Sequence, residues 1–271
     1  MKAKLNWPAV FVGLLAVLVS VVAMFAVADI GIDWDTWEQA TSMMPDGGFN
    51  FNEHVEPGSA IRQPWNTFSS LYFVFAGAFV MALPYTKKSS SLSVTSSKAL
   101  RSLYGISIII TGLGSAFMHM SMTFYGQVAD VLGMYLVSVF IVMYTFRSNP
   151  KYSAKLFTIL YIVINAALLY ALWFMPEVRR NLFLVLILVG LVLEYFCNRK
   201  TGGFNSDLLL AAASSLAFAY ILWQLDNHRG IFFEQIGFFQ GHNFWHLGGA
   251  VACGVLYAHY SRNHKIANPD G

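Results

Sequence analysis

Residues 101–121 read RSLYGISIIITGLGSAFMHMS, and after Met122 and Thr123 the chain continues as FYGQVADVLGMYLVSVFIVMYTF over 124–146. Each run is apolar for more than 20 residues. At 1.5 Å per helical residue, each reaches across a ~30 Å hydrocarbon layer. Beyond Arg101, the only acidic, basic or histidine side chains in the two runs are His119 and Asp130. A run of this length and polarity has one economical reading, a membrane-crossing helix, because backbone groups in lipid must find their partners within the segment.

The same reading extends to 8–28, 65–84, 156–175, 180–197, 207–225 and 241–260, making eight apolar segments with 101–121 and 124–146. Only 11% of the chain is charged and 56% is hydrophobic. A water-soluble domain carries about a quarter charged residues, so this composition excludes a soluble globular enzyme. The fold expected is all-α, a polytopic membrane helix bundle. It divides into an N-terminal helix or signal peptide (1–28), an outer acidic loop (29–63), a seven-helix domain (64–261) and a tail (262–271). The first segment suits either role, since Ala26-Val27-Ala28 before Asp29 also resembles a cleavage site. The net charge of +3 carries no nucleic-acid signature. Cys197 and Cys253 both fall in apolar runs and are expected as buried free thiols.

Orientation follows from the cationic residues. With the N-terminus cytoplasmic, only Arg62, Arg179, Arg180 and Arg229 of the 17 Lys and Arg residues fall outside. Both termini are therefore expected on the cytoplasmic side. The outer segment then holds seven of the 14 acidic residues, from Asp29 to Glu56. Those charges can gather a hard cation or simply be solvated.

Ionisable groups at membrane depth are costly unless they pair, ligate a metal or line water. Ser115 and His119 lie four apart on one face of an outward-running helix. Asp130 follows near the outer end of the next helix. His242 and His246, again four apart, begin the last one. The charge bias thus puts all five at one outer depth. Three histidines with a fourth position open to water form a catalytic zinc arrangement. Asp130 can then take the water's proton, and Ser115 can hydrogen-bond a developing oxyanion. Each residue also has a plainer reading. A lone histidine can be ordinary hydrogen-bonded core, Ser115 after Gly112 and Gly114 can serve close packing, and Asp130 can cap its helix. Asn66, Ser69 and Ser70 are expected to cap or pack the helix after Pro64. Glu194 and His259 are expected to snorkel at inner helix ends.

The ordered set resembles the alkaline ceramidases, within a superfamily of seven-helix membrane hydrolases that includes the adiponectin-type receptors. The stretches that carry the resemblance are Gln63-Pro64-Trp65-Asn66-Thr67-Phe68-Ser69, Gly114-Ser115-Ala116-Phe117-Met118-His119, Asp130 and Gly241-His242-Asn243-Phe244-Trp245-His246. The resemblance implies amide hydrolysis of a sphingolipid, with zinc on His119, His242 and His246, Asp130 as proton acceptor and Ser115 assisting. It also implies calcium in the acidic segment, for which Glu53 with Asn50 and Asn52 is the nearest match. Gln63 departs from the family, which tends to have an acidic residue there, and the extra N-terminal segment departs from the usual seven helices. The substrate implied is a membrane lipid, ceramide or another N-acyl lipid. The rival expectations are a non-catalytic receptor with a structural zinc and a proton-coupled transporter.

Overall fold

Polar side chains mark where the apolar runs begin to coil. Asn6, Ser97, Thr123 and Ser153 each accept a backbone N–H from the first turn of the helix that follows, satisfying donors that have no intrahelical partner. The computed structural model describes residues 5–41, 52–84, 93–149, 152–201, 204–226 and 237–262. Its helices are α1 (Trp7–Asp29), α2 (Pro64–Ser69), α3 (Leu71–Ala82), α4 (Lys98–Ser121), α5 (Phe124–Tyr144), α6 (Ala154–Phe174), α7 (Arg179–Asn198), α8 (Ser206–Asp226) and α9 (Gly241–Arg262). Among the described residues there is no strand beyond one isolated bridge between Gln39 and Thr123.

Among the described residues, seven helices are long and apolar enough to cross a membrane, with α2 and α3 counting as one span over Pro64–Ala82. The eighth expected run, α9, has the length at 22 residues, but its polar side chains dilute it. His242, Asn243, His246 and His259 are all buried, so that polarity faces protein. The outer surfaces of α1, α6 and α7 expose large apolar side chains such as Phe11, Ile162 and Phe196. Patches of that extent would associate in water and are at home in lipid. This is an integral membrane helix bundle.

The expected run 65–84 is broken at Ser70, whose hydroxyl and N–H both bond to the Asn66 carbonyl. α1 packs on α3, with Gly13 against the Phe75 ring and Met24 among Leu71, Val74 and Ala116. Cys253 is buried but Cys197 is exposed, contrary to expectation, because it lies on the lipid-facing side of α7.

The inner end also differs from the snorkelling expected of it. Glu194 is fully buried, accepting two bonds from Arg147 (2.8 and 2.7 Å) and one from His259 (3.0 Å). The second ring nitrogen of His259 faces the Asn205 carbonyl at 2.9 Å. A carboxylate with this many donors is better satisfied in the interior than at a wet boundary.

At the outer end, the segment before α2 is stitched to the α4–α5 turn. Met122 takes a left-handed conformation (φ 52°) that ends α4. Its carbonyl accepts from Ala40 N–H, the Glu38 carbonyl accepts from Phe124 N–H, and the Met120 and His119 carbonyls accept from Arg62 and Gln63 N–H. Arg62 also reaches Asp35 and Gln39. The acidic stretch, in its described part, is a folded strap across the bundle end.

Candidate metal centre

The strap, α2, and the outer ends of α4, α5 and α9 meet around three imidazoles. His119 comes from the last turn of α4, and His242 and His246 from the first turns of α9. Asp226, closing α8, accepts the His242 backbone N–H at 3.0 Å and so anchors the start of α9. Gly241 makes that anchoring possible, because a Cβ there would collide with the Leu222 carbonyl. The three ring centroids stand 4.8, 5.4 and 4.5 Å apart. One nitrogen from each lies within 4.8 Å of the others, and all three residues are buried.

Two nitrogens on one tetrahedral zinc at 2.0–2.1 Å lie about 3.4 Å apart, so the widest pair of the triad needs at most about 1.5 Å of closure to share an ion. Its donors are all imidazoles, which suit zinc and other transition metals better than calcium or magnesium. Among the described residues, no other three His, Cys, Asp or Glu side chains come together in this way.

Ser115 and Asp130 are at the same place. The Ser115 hydroxyl stands 3.2 Å from His246 Nε2, and Asp130 lines the same hollow as both. α4 and α5 approach closely here, since a Cβ on Gly114 would collide with the Ala129 carbonyl. The plainer reading of Asp130 as a helix cap does not hold, because Thr123 caps α5 and Asp130 is in its second turn. Arg179, at the start of α7, exerts its charge on Asp130. Sequence reasoning assigned Arg179 only a topological role.

Below Ser115, Asp130 and His246 a hollow of about 60 Å³ runs inward past Met134, Ile141 and Leu256. Trp245 lines it rather than facing lipid. Ligand pockets usually hold about 300–1,000 Å³, so a lipid chain needs these flexible aliphatic side chains to part.

Of the residues matched to calcium, the two described ones, Glu53 and Asn52, bond to different partners. Asn50 lies outside the described residues. The two Glu53 oxygens each accept a backbone N–H at 2.7 Å, from Trp65 and Asn66 in the first turn of α2. Asn52 bonds instead to Asp226. Glu53 thus caps a helix. Burial pushes its carboxyl up to about 7 against the lowering effect of those two bonds, and Glu56 nearby adds to the rise.

Two further buried polar residues touch the imidazoles, and a third, Asn243, touches one of these two. Gln63 Oε1 lies 2.7 Å from His119 Nδ1. Ser69 Oγ lies 2.7 Å from His246 Nδ1 and 2.9 Å from Asn243 Oδ1. The available signal was a run of polar residues, Gln63, Asn66, Thr67, Ser69 and Ser70, entering a membrane span where lipid-facing residues would be apolar.

A protein-family model described as Ceramidase matches residues 59–268. The chain belongs to the ceramidase family. Mouse alkaline ceramidase 1 is 26% identical over 200 residues, covering 69% of this chain and 68% of that protein. The family match takes in α2 to α9 and every residue of the metal centre, while α1 and the strap up to residue 58 lie outside it. Family membership makes the chain a hydrolase of the ceramide amide bond, which sets aside the receptor and transporter readings.

Proposed function

We propose that the protein is a zinc-dependent lipid amidase of the membrane, releasing a fatty acid from ceramide or a closely related N-acyl lipid. The observation that carries this is the meeting of three imidazoles with Ser115 and Asp130 at the mouth of an apolar hollow. His119, His242 and His246 would hold the ion and leave a fourth position free. Bound there, zinc supplies Lewis acidity and lowers the pKa of a coordinated water to about 7. Asp130 accepts the proton of the attacking water and returns it to the amine as the C–N bond breaks. Ser115 donates its hydroxyl hydrogen to the carbonyl oxygen as charge builds there. The hollow between α3, α4, α5, α7, α8 and α9 receives a hydrocarbon chain. With both termini cytoplasmic, the centre lies near the outer face, periplasmic or lumenal.

The test is metal analysis of the purified protein, followed by hydrolysis assays on a panel of N-acyl lipids. Alanine at His119, His242 or His246 should remove zinc and turnover together. Asp130→Asn should keep stoichiometric zinc and lose at least about 100-fold in turnover, the usual scale for a positioned acid–base group. Full turnover by metal-free protein would refute the mechanism.

A further inference from the structure

We infer that two hydrogen-bond relays, each anchored on a backbone carbonyl, set the tautomers of His119 and His246, making Gln63, Ser69 and Asn243 positioning residues for the metal centre. The inference rests on the zinc reading above and deepens it. Each relay has one permitted direction. Gln63 Nε2 donates to the Glu53 carbonyl at 2.7 Å, and a carbonyl can only accept. That turns Gln63 Oε1 toward His119 Nδ1, 2.7 Å away. Asn66 Nδ2 donates to the same oxygen at 3.4 Å and reinforces the orientation. The hydrogen between Gln63 and His119 must therefore sit on Nδ1. His119 Nε2 is left with a lone pair.

The second relay starts at the Phe238 carbonyl, which accepts from Asn243 Nδ2 at 2.6 Å. Asn243 Oδ1 then faces Ser69 Oγ at 2.9 Å, and the Asn66 carbonyl faces it at 3.1 Å. Ser69 has one hydrogen for these two acceptors. Giving it to His246 instead would leave two carbonyl oxygens against hydroxyl lone pairs with nothing between them. Ser69 therefore accepts from His246 Nδ1 at 2.7 Å, and His246 Nε2 keeps its lone pair. Gln63, Ser69 and Asn243 are at most 2% exposed, so water does not compete for these bonds.

Both relays deliver the state a metal requires, Nδ1 protonated and a lone pair on Nε2, which on His119 faces His242 Nε2 at 2.9 Å and on His246 faces the Ser115 hydroxyl at 3.2 Å. Both also pass through residues beside or within α2, so the Glu53 cap on that helix holds the relays in register. Partners of this kind orient the ring and raise its basicity, and their loss costs about 10- to 100-fold in metal affinity.

The experiment uses the full-length protein in detergent. Zinc affinity is measured by competition with a chromophoric chelator, and ligand geometry by the visible absorption of the cobalt(II)-substituted form. Gln63→Leu removes the acceptor, Ser69→Ala removes the second relay, and Gln63→Glu keeps an acceptor at the same place. Gln63→Leu and Ser69→Ala should each weaken zinc about 10- to 100-fold and shift the cobalt spectrum, while Gln63→Glu should bind at least as tightly as wild type. Affinities within about twofold of wild type with an unchanged spectrum would overturn the inference. So would Gln63→Glu binding as weakly as Gln63→Leu. Wild-type protein that binds no zinc would instead overturn the metal reading itself.

Discussion

Glu53 shows how far one side chain's role can lie from its composition. In a stretch crowded with acids it reads as a cation ligand, yet its two oxygens are taken up by the first N–H groups of α2. Its raised pKa has a checkable consequence. A carboxyl held near 7 in the fold, against 4.5 when free, contributes its full stability below the free value and loses it as pH rises through the folded one. The difference in thermal midpoint between wild type and Glu53→Gln should therefore shift against wild type from about pH 4.5 to 7 and then level off. A difference moving the other way would mean that the carboxylate caps the helix as an anion throughout. The three histidines were legible at this scale because ionisable groups are scarce in lipid. The hydroxyl of Ser69 was not, since nothing in a serine's sequence position says which way a helix turns it.

At the scale of elements, the apolar runs announced the helices because a bilayer leaves the backbone no alternative. The break at Ser70 did not show, since no proline or glycine marks it. The pairing of Arg147 with Glu194 and His259 was also hidden, because it joins the ends of α5, α7 and α9 from positions up to 112 residues apart. That cluster is a joint between three helices far from the metal centre. Glu194→Ala takes the shared acceptor from Arg147, Asn198 and His259, and such a break costs about 3–5 kcal/mol. A lowered thermal midpoint with unchanged zinc affinity is the expected result. Loss of zinc in a folded Glu194→Ala protein would show that the inner joint governs the outer site.

For the whole molecule, the arrangement we propose from charge bias and helix count puts the strap and the metal centre on the side away from most lysines and arginines. A reporter that works only in the cytoplasm should be active when fused at either end of the chain. One fused at the strap should be silent. Activity at one end alone would reverse the assignment of every loop. The convergence of α4, α5 and α9 at one depth follows from their alternating directions, so this level of organisation is readable before any side chain is placed. What cannot be read that way is the narrowness of the hollow, which depends on how the side chains of six helices interlock.

The strap has a further consequence for processing. It runs out of α1 at Asp29 and is fastened again at Glu38 to Ala40, through backbone bonds to Phe124 and Met122. Its second half is pinned at Arg62 and Gln63 to the end of α4. Proteolysis between Asp29 and Trp34 would thus shed one lipid-facing helix and still leave the roof of the metal centre tied down on both sides. A form cut there should then carry the same catalytic machinery and differ in exposing to lipid the face of α3 on which α1 packs.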